Sequence, residues 1–107
     1  MSDQILLEET ESLIPLMSQV KDVGTRGYGI VYGYTFGYVY EFNPHGGSDD
    51  SAWPMVEVNF LSIPQTVAVD VKSLEVFMDD KWVSGESLHQ QIIETSEAKG
   101  WQRWGGR

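Results

Sequence analysis

Large apolar side chains occupy every even-numbered position from Tyr28 to Phe42: Tyr28, Ile30, Tyr32, Tyr34, Phe36, Tyr38, Tyr40 and Phe42. The odd positions carry Gly29, Val31, Gly33, Thr35, Gly37, Val39 and Glu41. A period of two is the signature of a β-strand with two unlike faces. A straight strand of this length would span on the order of 50 Å, whereas a domain of this size is roughly 35 Å across. The strand must bend or break. A two-residue hairpin loop would exchange even and odd faces between its arms, and the sequence shows no such exchange. The pattern therefore predicts one coiled strand bent at Gly33 or Gly37, or a hairpin with an odd-numbered loop. Either way the tyrosines share one face, expected beneath the helices or lining a concavity.

Alternation resumes with Val56, Val58 and Phe60 inward and Glu57 and Asn59 outward, and again through Val67, Val69 and Val71. The stretch LEVFMDDKWV reads as two short strands around Asp79–Asp80. Residues 43–54, NPHGGSDDSAWP, carry the turn chemistry of a loop. Helical spacing appears at both ends. Leu13, Leu16, Met17 and Val20 share one face, with Ser12 as N-cap, Pro15 in the first turn and Gly24 as the stop. A kinked helix over 4–22 is the alternative. In SLHQQIIETSEAKG, Ser87 and Gln90 have capping-box spacing, Leu88 and Ile92 form the buried stripe, and Gly100 ends the helix. His89 falls off that stripe and is expected at the surface.

The predicted order is helix, four to six mostly antiparallel strands in a curved sheet, helix: an α+β domain with the C-terminal helix packed on the sheet. A chain of 107 residues supports a single domain over 1–107, with 101–107 as a possible tail.

Charge narrows the partners. Sixteen acids against seven bases give −9. No lysine or arginine lies between Arg26 and Lys72, a span that holds Glu41, Asp49, Asp50, Glu57 and Asp70. Direct binding to nucleic acid is disfavoured, because that field repels phosphate. The expected partner is a second copy (a dimer first) or a basic protein, in the manner of an inhibitor, immunity factor or nucleic-acid mimic. The absence of cysteine excludes disulfides and thiolate chemistry. No apolar run approaches a membrane span, and the first residues lack the features of a secretory signal. A cytoplasmic protein without membrane contact is the expectation.

Five tyrosines on one strand suit a boundary more than a dry core, since each buried phenol needs a hydrogen-bond partner. Tyr28, Tyr32, Tyr34, Phe36, Tyr38 and Tyr40, with Trp53, are the candidates for an interface or a pocket wall. In the tail WQRWGGR, Trp101, Arg103 and Trp104 are residue types of binding hot spots; folding back of the tail would place Trp101 over the core. His45, Asp49 and Asp50 are weak polar candidates, because three potential ligands in a glycine-rich turn do not define a metal site. No metal, cofactor fingerprint or catalytic motif is read from the chain. The leading expectation is a small acidic, non-catalytic protein-interaction protein. The alternative is a domain binding an apolar or aromatic small molecule in a tyrosine-lined pocket. A hydrolase or isomerase using His45 stands third.

Overall fold

The computed structural model describes residues 3–24, 26–43 and 47–101, with the side chains at 3, 36–43 and 47–53 outside that description. Its elements are α1 (Asp3–Leu13), β1 (Gln19–Asp22), β2 (Tyr28–Asn43), β3 (Gly47–Phe60), β4 (Val67–Asp70), β5 (Leu74–Met78), β6 (Lys81–Ser84) and α2 (Gly85–Ala98), with a 3-10 turn at Val71–Ser73. The strands form one open antiparallel sheet in the order β4-β3-β2-β1-β5-β6. Both helices pack on one face of it, and the fold is α+β as expected.

The N-terminal helix ends where the sequence reading had it begin. Pro15 has no N–H to donate, and its ring disfavours helical geometry at Ile14, so α1 closes at Leu13. A turn follows in which the Ser18 N–H donates to Pro15 O at 3.2 Å, with Met17 at φ 71°. This turn reverses the chain into β1, so Gln19–Asp22 is a strand and not the last turns of a helix. Val20, assigned to a helical stripe from its spacing, is instead an inward position of a central strand.

β2 is a single strand of 16 residues. Straight, it would measure about 53 Å, yet the longest principal extent of the molecule is 36 Å. The strand is therefore coiled, and its irregularity lies immediately before Gly33, one of the two positions expected to bend. Val31 pairs with Val58 and Gly33 with Glu57, leaving Tyr32 as the extra residue of a β-bulge. The bulge overturns the expectation of one tyrosine face. Ahead of it the odd residues Gly29 and Val31 face the helices; beyond it the even residue Tyr34 does. A shift of one residue exchanges faces, so Tyr28 and Tyr32 look outward, away from the helices, while Tyr34 looks inward.

The loop expected over 43–54 is mostly strand. The register of β2 with β3 runs unbroken from Gly33↔Glu57 to Asn43↔Gly47. Pro54 is accommodated because β4 meets β3 only across Met55–Val58, and a missing N–H is tolerated on a free edge. The last hairpin follows the sequence reading: Met78 pairs with Lys81 across Asp79–Asp80, whose φ values of 54° and 65° suit a primed two-residue turn.

The core lies between sheet and helices. Val20, Val31, Val56, Val58, Phe60, Val69, Leu74 and Val76 meet Leu6 from α1, Ile14 just beyond its end, and Leu88, Ile92 and Ile93 from α2. α2 starts at Gly85, ahead of the expected Ser87, because Ser84 caps it by accepting from the Glu86 N–H at 3.2 Å. His89, expected at the surface, is 5% exposed; the buried face of α2 is wider than the Leu88–Ile92 stripe and takes in Gly85, His89, Ile93 and Ser96 as well. The helix closes at Gly100 (φ 114°), with Gly100 N–H donating to Glu97 O at 3.1 Å and Trp101 N–H to Ser96 O at 2.9 Å. This Schellman geometry turns the chain back and seats Trp101 in the core at 3% exposure.

Candidate functional site

The face of the sheet opposite the helices carries an exposed aromatic cluster. Antiparallel pairing puts cross-strand partners on the same side, and the register aligns Phe77 with Trp82, Glu75 with Ser84, Lys21 with Glu75, Tyr28 with Lys21 and Ile30 with Gln19. The result is a surface built across β6, β5, β1 and the start of β2. The Trp82 ring stands 5.2 Å from Phe77 and 5.9 Å from Tyr28, centroid to centroid, the latter edge to face. Lys21 Nζ lies 5.4 Å from the Trp82 ring and 6.0 Å from that of Tyr28, within cation–π range, and 3.3 Å from a Glu75 carboxylate oxygen. Tyr28 is 53% exposed, Tyr32 60% and Leu61 88%.

Beside the cluster is a half-open depression of about 370 Å³ lined by Gln19, Val20, Tyr28, Gly29, Ile30 and Leu61. Its floor is fixed by a close approach of strands. A Cβ at Gly29 would lie 2.6 Å from Asn59 O and 2.9 Å from Phe60 Cα, so only glycine fits there without moving β3. The Tyr28 carbonyl accepts from the Leu61 N–H at 2.9 Å, which holds Leu61 at the rim.

The turn below the patch is organised by a buried carboxylate. Asp22 accepts from the Arg26 backbone N–H and pairs with its guanidinium, both at 3.2 Å, and the Arg26 guanidinium lies 5.8 Å from the Phe60 ring. These contacts hold β1 and β2 in the register that brings Lys21 beside Tyr28.

The candidates read from the sequence are thus separated. Tyr28 and Tyr32 belong to the open face. Tyr34 is half-buried on the other side, where its hydroxyl donates to Ile14 O; burial first, and then the nearby Glu11 carboxylate, push its pKa up to about 12. Tyr32 and Tyr34 therefore cannot line one pocket. Trp101 is core. Phe36, Tyr38, Tyr40, Asp49, Asp50 and Trp53 have their backbones in the β2–β3 register, and their side chains lie outside the description. His45, Arg103 and Trp104 lie outside the described residues altogether. Among the described residues, no group of three or more His, Asp or Glu side chains is arranged to hold a metal ion. No described helix is long and apolar enough to cross a membrane.

Phe77, Trp82, Lys21 and Leu61, which share this open face, are not among the candidates read from the sequence. The pair Phe77–Trp82 had a signal, since a two-residue turn at Asp79–Asp80 sets those residues opposite each other. Lys21 had none while its segment was read as helix. Comparison with family models, with curated proteins and with solved structures gave no match.

Proposed function

We propose that this chain is a non-catalytic protein-binding module whose contact surface is the open face of the sheet. The observation that carries this reading is the Tyr28–Trp82–Phe77 cluster, exposed on the same face as Tyr32, Ile30 and Leu61 and held by strand pairing instead of by loops. Large exposed aromatics flanked by a single ion pair have the composition of an interface centre. The depression supports the same reading better than a small-molecule site. Its volume falls at the low end for ligand pockets, but it is half open, and only Gln19 and Tyr28 among the side chains lining it carry a polar group. It suits an apolar side chain projecting from a partner.

The test is a photo-crosslinking amino acid placed at Tyr32 in one variant and at Gln90, exposed on α2, in another. The expected result is a protein adduct from position 32 and none from position 90. Equal labelling from both positions, or no adduct from 32, would refute the assignment of the contact surface.

A further inference from the structure

We infer that the partner on the open face is a second copy of this chain, packed sheet to sheet about a two-fold axis; this rests on the open face being the contact surface. Charge is the first support. Glu8 and Glu11 on α1 and Glu86, Glu94 and Glu97 on α2 are exposed on the helical layer. On β1, β5, β6 and the first residues of β2, the positions sharing the outward side with Trp82 carry just two charges, Lys21 and Glu75, already paired at 3.3 Å. These five exposed helical acids thus lie on the layer opposite the aromatic patch. Two copies meeting by their open faces put their acidic helical layers on opposite outsides. With about 10 Å between stacked sheets, the layers are separated by more than the roughly 8 Å Debye length at physiological ionic strength. A basic partner would find no excess of acid on these four strands; Glu57 on β3 and Asp70 on β4 share the outward side but lie beyond them.

Self-complementarity is the second support. A two-fold contact needs a surface that matches itself, and one carrying a single cation beside a single anion does so when Lys21 of each copy faces Glu75 of the other. Size sets the strength. The four strands that overlap when Lys21 meets Glu75, about 4.8 Å apart and four to five residues long, give a footprint on the order of 300 Å² per copy, less than half that of a standard stable interface. An interface of this size falls at the weak, transient end, so the dimer is reversible and concentration-dependent.

Sedimentation velocity over about 5 to 500 µM tests this with wild type, Lys21→Glu and Glu75→Lys. Wild type is expected to show a concentration-dependent dimer, and each variant alone about tenfold weaker association or less. Because Lys21 also lies over Tyr28 and Trp82 in its own chain, the decisive sample is an equal mixture of the two variants. There each reversed charge meets its complement across the contact, and dimerisation returns. A wild-type monomer throughout, or a dimer indifferent to both variants, would overturn the inference. If wild type stays monomeric while position 32 crosslinks to a different protein, the contact surface stands and self-association falls. If position 32 labels nothing, both fall.

Discussion

Replacing Gly85 with alanine tests the placement of α2 on the sheet. A Cβ at this residue would lie 2.1 Å from Val71 O and 2.2 Å from Leu74 O. Both are backbone atoms, and Val71 and Leu74 are core residues, so neither can swing aside. Reaching ordinary contact means moving the first turn of α2 by about 1 Å, and overpacking of this kind costs about 1–3 kcal/mol. The shift also strains the Ser84 cap, whose hydroxyl accepts from Glu86 N–H and contributes about 1 kcal/mol. Working against both, alanine is about 1 kcal/mol better than glycine inside a helix. The net expectation is a loss of about 2 kcal/mol, which lowers the melting temperature by roughly 8–15 °C for a chain of this size. Urea denaturation followed by tryptophan fluorescence and far-UV circular dichroism measures it directly. If α2 began at Ser87, Gly85 would sit in a linker and the substitution would be neutral or mildly stabilising. That outcome would refute the packing of α2 against Val71–Leu74.

Gly100→Ala strains a residue at φ 114° and should cost about 1 kcal/mol in the same assay, with Trp101 emission shifting to the red as its seat loosens. Tyr34→Phe removes a hydroxyl that donates to Ile14 O, at about 0.5–1.5 kcal/mol at neutral pH. Its pH effect has a defined sign. The folded pKa of about 12 exceeds the unfolded value near 10, so the protonated phenol contributes stability fully below pH 10, and that contribution is lost as pH rises towards 12. Wild type should weaken across that window more than Tyr34→Phe does, and ultraviolet titration near 295 nm should lose a phenol ionising near pH 12 in the variant. Ile92→Ala, at a fully buried position between helix and sheet, should cost about 2–5 kcal/mol, read from the urea midpoint.

Where residue pattern and backbone agreed over several residues, the fold was readable. Val56, Val58 and Phe60, the Asp79–Asp80 turn and the Leu88–Ile92 stripe each combined local chemistry with the period of their element. The N-terminal quarter was not readable, because Leu13, Leu16, Met17 and Val20 fit helical spacing while belonging to a helix end, a turn and a strand. Pro15 decided the matter by breaking the helix it was expected to start. The tyrosine stripe was legible as strand and illegible as site. Nothing in an unbroken alternation shows that one residue, Tyr32, will be looped out of register and reverse which parity meets the core. The aromatic patch depends on β1 lying between β2 and β5, so it could not be assembled until that strand was known.

The position of β1 also bears on how the chain folds. β2, β3 and β4 are neighbours in both sequence and sheet, as are β5 and β6, so each group can form from contacts close along the chain. β1 joins them. Gln19–Lys21 pairs with Tyr28–Ile30 nearby, whereas Val20 pairs with Val76, which is distant along the chain. Closing that second ladder carries the loop entropy of everything between, and contacts of high sequence separation slow folding. The four residues Gln19–Asp22 are thus a seam: two locally formed halves become one cooperative unit, and the aromatic patch that spans them exists only once the seam has closed.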